Sequence, residues 1–249
     1  MGRAVKAADM LAAAERLPLC DMVDLQGRGL VVIAPHPDDE SLGCGGLIAG
    51  WRSRGYDARV VVLSDGTGSH PNSRAYPPEG LRLLREHETL AACHMLGLSA
   101  RHVAFMRLPD RFLPSEGPVA RETAARIATV ARECGAGALI CTWRHDPHCD
   151  HQAAFAMARL ARRDLPGVRL LAYSIWGWTL PDDMDIADDV VGGFRVDISD
   201  HLPAKRRAIQ AHRSQTTDLI FDDPAGFRLD QAMVKRFERP FEIFWEVAP

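Results

Sequence analysis

The stretch Leu30-Val-Val-Ile-Ala34, followed by Pro35-His36-Pro37-Asp38-Asp39-Glu40, passes from an apolar, largely β-branched run straight into a polar turn. A continuous apolar run of this length, without hydrophobic alternation, fits a strand covered on both faces. The small-residue segment Ser41 to Trp51 then reads as a helix, so the unit is strand, loop, helix.

The same unit recurs outward along the chain. Ala58 to Leu63 is a second apolar run ending in Ser-Asp-Gly-Thr-Gly, and Gly80 to Leu96 carries apolar residues at helical spacing until Gly97 stops it. Arg101–Phe105, Ala138–Thr142, Val168–Ile175 and a shorter Phe194–Ile198 read as strands. Val119–Cys134, Gln152–Arg162 and Leu202–Arg213 read as helices, the last with Asp200 available as a cap. Alternation of this kind implies right-handed crossovers and an α/β, Rossmann-like, mostly parallel sheet with helices on both faces. The expected organisation is a single domain over residues 1–249, with an N-terminal helix at about 5–18 and a C-terminal segment from about 200 as additions to the core. The Pro-rich patch Pro71 to Pro78 reads as a long surface loop, a frequent home for substrate contacts.

Composition narrows the functional classes. Of 249 residues, 47% are apolar and 25% charged, which excludes a disordered or fibrous chain. The net charge of −3 and the absence of any Lys/Arg run argue against a nucleic-acid partner. The Ala-rich segment Met1 to Cys20 is interrupted by Arg3, Lys6, Asp9, Glu15 and Arg16, so it lacks a signal peptide's apolar centre, and no run is long enough to span a bilayer. A cytoplasmic location is expected. Six cysteines without a CxxC pair are expected as reduced, mostly buried thiols. A homo-oligomer is compatible with all of this. The preference for Arg over Lys, which occurs only at Lys6, Lys205 and Lys235, carries no functional conclusion.

Two polar clusters follow directly on strands. The first is His36 to Glu40, and the second is His145-Asp146-Pro147-His148-Cys149-Asp150-His151 after the strand ending at Thr142. Ligands in open parallel sheets bind beyond the carboxyl ends of strands, where these clusters would meet. They hold four of the ten histidines beside acidic residues, a supply of imidazole and carboxylate suited to a catalytic metal with a position left for water.

Ala34-Pro-His-Pro-Asp-Asp-Glu40 resembles the (A/P)HPDDE signature of the PIG-L/LmbE-like N-acetylglucosaminyl deacetylases, and His148-Cys-Asp-His151 resembles their later HPDH, with Cys149 where Pro is common. Arg85, Glu88, Ala92 and Leu96-Gly97 resemble a helix motif of the family, and Leu108-Pro109-Asp110 its LPD turn. The resemblance runs from about Leu30 to Ala153. It implies that His36, Asp39 and His151 bind zinc, that Asp38 is the general base, and that His148 assists the oxyanion or the leaving group. A protonated His148 held by Asp146 or Asp150 would suit that role, and these two aspartates could equally serve as turn or cap residues. Iron(II) also suits two histidines and one carboxylate. The implied reaction is hydrolysis of an acetamide on a small N-acetylated sugar or sugar conjugate.

Arg85 and Asp110 are the candidates for binding substrate, and each could instead be an ion-pair partner. Trp143, Trp176 and Trp178 could stack on a sugar or sit in the core. A thiolate at Cys149 would fall near the metal. His212-Arg213-Ser214-Gln215 resembles a C-terminal feature of the family, to which the sequence assigns no role. Among rivals, a dinucleotide-binding oxidoreductase would need glycine where Ile48 stands in Gly43-Cys44-Gly45-Gly46-Leu47-Ile48, and those glycines come too late after the strand; they suit close helix packing better. A non-catalytic metal-binding module would have no use for Asp38 and His148. Hydrolysis of a different amide, such as a thiol conjugate, stays open.

Overall fold

The computed structural model describes residues 4–20, 29–187 and 190–248. Its strands are β1 (Ala4–Lys6), β2 (Leu19–Cys20), β3 (Gly29–Ala34), β4 (Asp57–Ser64), β5 (Val103–Leu108), β6 (Ala136–Thr142), β7 (Arg169–Tyr173), β8 (Asp185–Ala187), β9 (Val190–Asp197) and β10 (Phe241–Val247). The helices are α1 (Ala7–Ala14), α2 (Asp39–Ser53), α3 (Pro78–Met95), α4 (Gly117–Glu133), α5 (Cys149–Arg163), α6 (Leu202–Ala211), α7 (Arg213–Thr216) and α8 (Gln231–Phe237).

The main sheet runs β2-β9-β10-β7-β6-β3-β4-β5. Its core, β7-β6-β3-β4-β5, is parallel throughout, and β10 joins antiparallel to both β7 and β9. The expected mostly parallel α/β sheet is present. Strand β3 shows why its run does not alternate: Leu30, Val32 and Ala34 belong to the core beneath α2 and α6, while Val31 and Ile33 belong to the core beneath α4 and α5. Both faces are covered, so both sets of side chains are apolar.

Chain order reverses between β3 and β6, which lie side by side although α2, β4, α3, β5 and α4 separate them in sequence. The loops after these two strands therefore border the crevice at the carboxyl edge of the sheet. The glycines of α2 bring that helix close to the sheet and to its neighbour: a Cβ on Gly43 would stand 2.1 Å from the Tyr173 ring, and one on Gly46 would stand 2.5 Å from Ile198.

The N-terminal segment departs from a helix over 5–18. Ala4–Lys6 pairs antiparallel with Asp185–Ala187, and only Ala7–Ala14 is helical. Ala7, Met10 and Ala14 bury against Trp143, Trp245 and Ile243, contacts made by distant residues and invisible in local periodicity. Asp200 caps nothing at α6; the carboxylate of Asp197 instead accepts the Ser199 backbone and hydroxyl protons at 2.8 and 2.6 Å. No described helix is long and apolar enough to cross a membrane.

Candidate metal centre at the sheet switch point

The loop after β3 is held in a costly conformation. Asp38 sits at φ 120°, which a residue with a side chain rarely adopts, at a cost of about 1–3 kcal/mol. Glu40 supports it: its Oε2 accepts the Asp38 backbone N–H at 3.0 Å, while Oε1 accepts the Ser41 hydroxyl at 2.7 Å and faces His212 Nε2 at 3.0 Å. Glu40 and His212 are both buried. His212 thus braces, from the start of the C-terminal segment, the turn that presents Asp38 and Asp39.

From this turn and from the start of α5, three atoms converge. His36 Nδ1, Asp39 Oδ2 and His151 Nε2 lie 3.3 Å from one another in all three pairs. Bonds of about 2.0–2.1 Å to a tetrahedral ion require ligand atoms about 3.3–3.4 Å apart, so the triangle already has the size of three corners of a zinc site. His148 stands at the rim, and one ring nitrogen from each of His36, His148 and His151 lies within 4.8 Å of the others.

Each imidazole of the triangle has a carboxylate behind it. His36 Nε2 is 3.0 Å from Asp150 Oδ2 and 3.2 Å from Asp110 Oδ1, and His151 Nδ1 is 3.2 Å from Asp146 Oδ1. Carboxylates in this position select the ring tautomer and raise the basicity of a metal-binding nitrogen. They are themselves fixed: Asp150 accepts the Arg111 and Leu113 backbone N–H groups, Asp146 those of Ile175 and Trp176, and Asp110 that of Gly68. Asp146 and Asp150 therefore back His151 and His36, and not His148 as the sequence suggested. Spacing along a loop does not reveal which of two imidazoles a carboxylate will meet.

The charge balance fits a cation. Burial alone would lower the His36 pKa, yet Asp110, Asp150 and Asp39 together drive it well above the usual value. For His151, burial is likewise outweighed by Asp39 and Asp146, and the pKa is raised to about 9. Burial also opposes ionisation of Asp39, but His151 and His36 hold its carboxyl far below the ordinary range. Carboxylates here outnumber the imidazoles they surround, a surplus that a divalent ion would neutralise.

Asp38 differs from its neighbour. Burial pushes its pKa up to about 7, with Arg85 the main opposing influence. Arg85 is itself buried, donates to the Gly66 and Pro37 carbonyls at 2.9 and 2.5 Å, and reaches Asp38 Oδ2 at 3.4 Å. For His148, burial together with His36 and His151 lowers the pKa, and Nδ1 accepts the Asp150 backbone N–H at 3.2 Å. Both features favour a ring that carries its proton on Nε2, where the sequence reading expects a protonated imidazole.

A cavity of about 110 Å³ opens over this cluster. His36, Asp38, Asp39, Arg85, Asp110 and His148 form its polar side. Arg85 and Asp110 do line it, but both also serve protein partners, as described above. Of the three tryptophans, only Trp176 lines this cavity; Trp143 and Trp178 stack on Trp245 with ring centres 4.6 and 6.0 Å away. The wall residues Gly68 and Ser69 precede the Pro-rich patch, and that patch is tied down by Asp222, which accepts from Ser73, Arg74 and Ala75. Cys149 is exposed, its thiol 3.7 Å from the Arg111 carbonyl.

The protein is thus a Rossmann-like fold with a cluster of two histidines and one carboxylate at its switch point that could hold a metal ion. Residues 31–161, just over half the chain, match the PIG-L family, described as GlcNAc-PI de-N-acetylase. The chain belongs to that family and is an N-deacetylase, a hydrolase. It is 28% identical over 228 residues to a probable N-acetyl-alpha-D-glucosaminyl L-malate deacetylase of Bacillus subtilis, covering 87% of this chain and 96% of that protein. It is 25% identical to a diacetylchitobiose deacetylase of Thermococcus kodakarensis, over 78% of this chain and 73% of that one. The solved N,N'-diacetylchitobiose deacetylase of Pyrococcus horikoshii shares the fold with a TM-score of 0.60 at 21% identity, over 80% of this chain and 76% of that one.

Proposed function

We propose that the chain is a zinc-dependent hydrolase that removes the N-acetyl group from an N-acetylglucosaminyl or related small N-acetylated molecule. The observation that carries this reading is the 3.3 Å triangle of His36 Nδ1, Asp39 Oδ2 and His151 Nε2 with a carboxylate behind each imidazole. A zinc ion held there supplies Lewis acidity, polarising the acetyl carbonyl and lowering the pKa of water to about 7, and iron(II) could serve the same donors.

The protein's own groups do the rest. Asp38 Oδ accepts the proton of the attacking water, a task matched by a pKa near neutrality. Arg85 and the Glu40–His212 pair hold Asp38 in place for that transfer. The Nε2–H of His148 donates to the developing oxyanion, which needs a positioned donor and no net charge. Water's oxygen bonds to the acetyl carbon, the C–N bond breaks, and the proton held by Asp38 passes to the departing amine. Acetate and a free amine are the products.

The substrate class rests on likeness to the deacetylases of N-acetylglucosaminyl malate and diacetylchitobiose. A cytoplasmic site of action accords with six free thiols. The test is acetate release from a panel of N-acetylated sugars and conjugates by zinc-loaded protein and by a chelated control. Release abolished by the chelator and restored by zinc is the expected result. Absence of release from every member, with zinc bound, would move the reading to another amide, a thiol conjugate being the first to try.

A further inference from the structure

A backbone at φ 120° persists only where its surroundings hold it, and at Asp38 that support leads away from the site. His36 and Asp39 are held in the triangle with His151, but Asp38 lies outside it. Its backbone N–H is bound by Glu40, and Glu40 in turn faces His212. What holds His212 is therefore the question. Its ring has no carboxylate behind it: Nδ1 is buried and without a hydrogen-bond partner among the described residues, unlike the outer nitrogens of His36 and His151. The ring's place is set by its backbone, at the junction where α6 ends and α7 begins.

Helix α7 has four residues, too few to hold a register on its own hydrogen bonds. It is anchored from α3 instead. The Ser214 backbone N–H and hydroxyl donate to the two carboxylate oxygens of Glu88 at 2.7 and 2.6 Å, and both residues are buried. One carboxylate thus fixes one residue at main chain and side chain together, two positions beyond His212. Burying a carboxylate is costly unless its oxygens are matched, and here both are spent on this grip. Arg85, three residues before Glu88, lies on the same face of α3 and reaches the Pro37 carbonyl and Asp38 Oδ2.

We propose that Glu88 is a positioning residue for deacetylation: by gripping Ser214 it sets the register of α7, which keeps His212 on Glu40 and Asp38 in its positive-φ conformation. This rests on the reading of Asp38 as the general base. Helix α3 then controls that base twice, at the side chain through Arg85 and at the backbone through Glu88. The arrangement also gives His212 and Ser214 separate parts in one brace.

The experiment compares wild type with Glu88→Gln and Ser214→Ala, alone and combined with His212→Asn, with Glu40→Gln as a second background should His212→Asn fail to fold. Acetate release from an N-acetylglucosaminide is measured per folded, zinc-loaded protein, and amide hydrogen exchange is followed across residues 36–42. Loss of one charge-assisted hydrogen bond should lower kcat about tenfold with KM within about twofold, and should speed exchange at Asp38 by a similar factor. In either background the Glu88 substitution should change kcat by less than about twofold further, because its path to Asp38 is already cut. Unchanged exchange at Asp38, unchanged kcat with only a lower Tm, or losses that multiply in full in the double variants each overturn the proposal. Faster, His212-dependent exchange at Asp38 in a protein whose wild type releases no acetate would sustain the brace and remove the deacetylase reading.

Discussion

The two walls of the cavity are made differently. On the metal side, His36, Asp39, Asp110 and Asp150 spend their polar atoms on one another and on backbone N–H groups, so the cradle is held by the protein before any ligand arrives. On the C-terminal side, the wall is aromatic and aliphatic, and the buried Gln215 behind it keeps an Oε1 without a partner among the described residues. The contrast is one of polarity: a cluster of charged groups is preorganised by its own mutual contacts, whereas aromatic faces need no polar partner. Asp146 belongs to both, with Oδ1 behind His151 and Oδ2 accepting the Trp176 N–H at 2.8 Å.

The largest expected effect tests the metal side. Asp38→Asn keeps the shape and suits a positive φ, and should lower kcat by about 10²–10⁴ with zinc content unchanged, read by acetate release and metal analysis. A loss below tenfold would remove Asp38 from the reaction. Next come the carboxylates behind the imidazoles. Asp150→Asn and Asp146→Asn should each weaken zinc binding about 10- to 100-fold, measured by competition with a chelating dye. Only Asp146→Asn should also raise KM for a sugar substrate, because it alone touches the Trp176 backbone; equal KM effects would dissolve the distinction between the walls. The smallest effect belongs to the aromatic wall: Trp176→Leu should raise KM about threefold, with zinc affinity and kcat preserved. Weaker zinc binding in that variant would show the two walls to be one.

Much of this centre is legible along the chain because its donors fall immediately after strands. A strand end is a local feature, and in a parallel sheet it predicts the edge at which a residue will stand. His36, Asp38, Asp39, His148 and His151 are candidates on that basis together with the family resemblance, and the structure brings them together. Glu40 stands in the same signature, but its role depends on His212, 172 residues away in the chain. The aromatic assignment failed to discriminate for the same reason: Trp143 and Trp176 both follow β-strands, and only their packing against Trp245 or Phe227 tells a core residue from a wall residue.

By itself, then, the sequence determined the alternation of strands and helices, the edge where chemistry gathers, and the residue types available to hold an ion. Those follow from local periodicity and from the turn that ends each strand. Only the tertiary structure decided which carboxylate backs which imidazole, which ring nitrogen of His148 accepts a backbone N–H, and that Gln215 Oε1 is buried without a partner among the described residues. Each of these depends on contacts between segments far apart in the chain, whose geometry is set by how the helices and the C-terminal segment pack on the sheet.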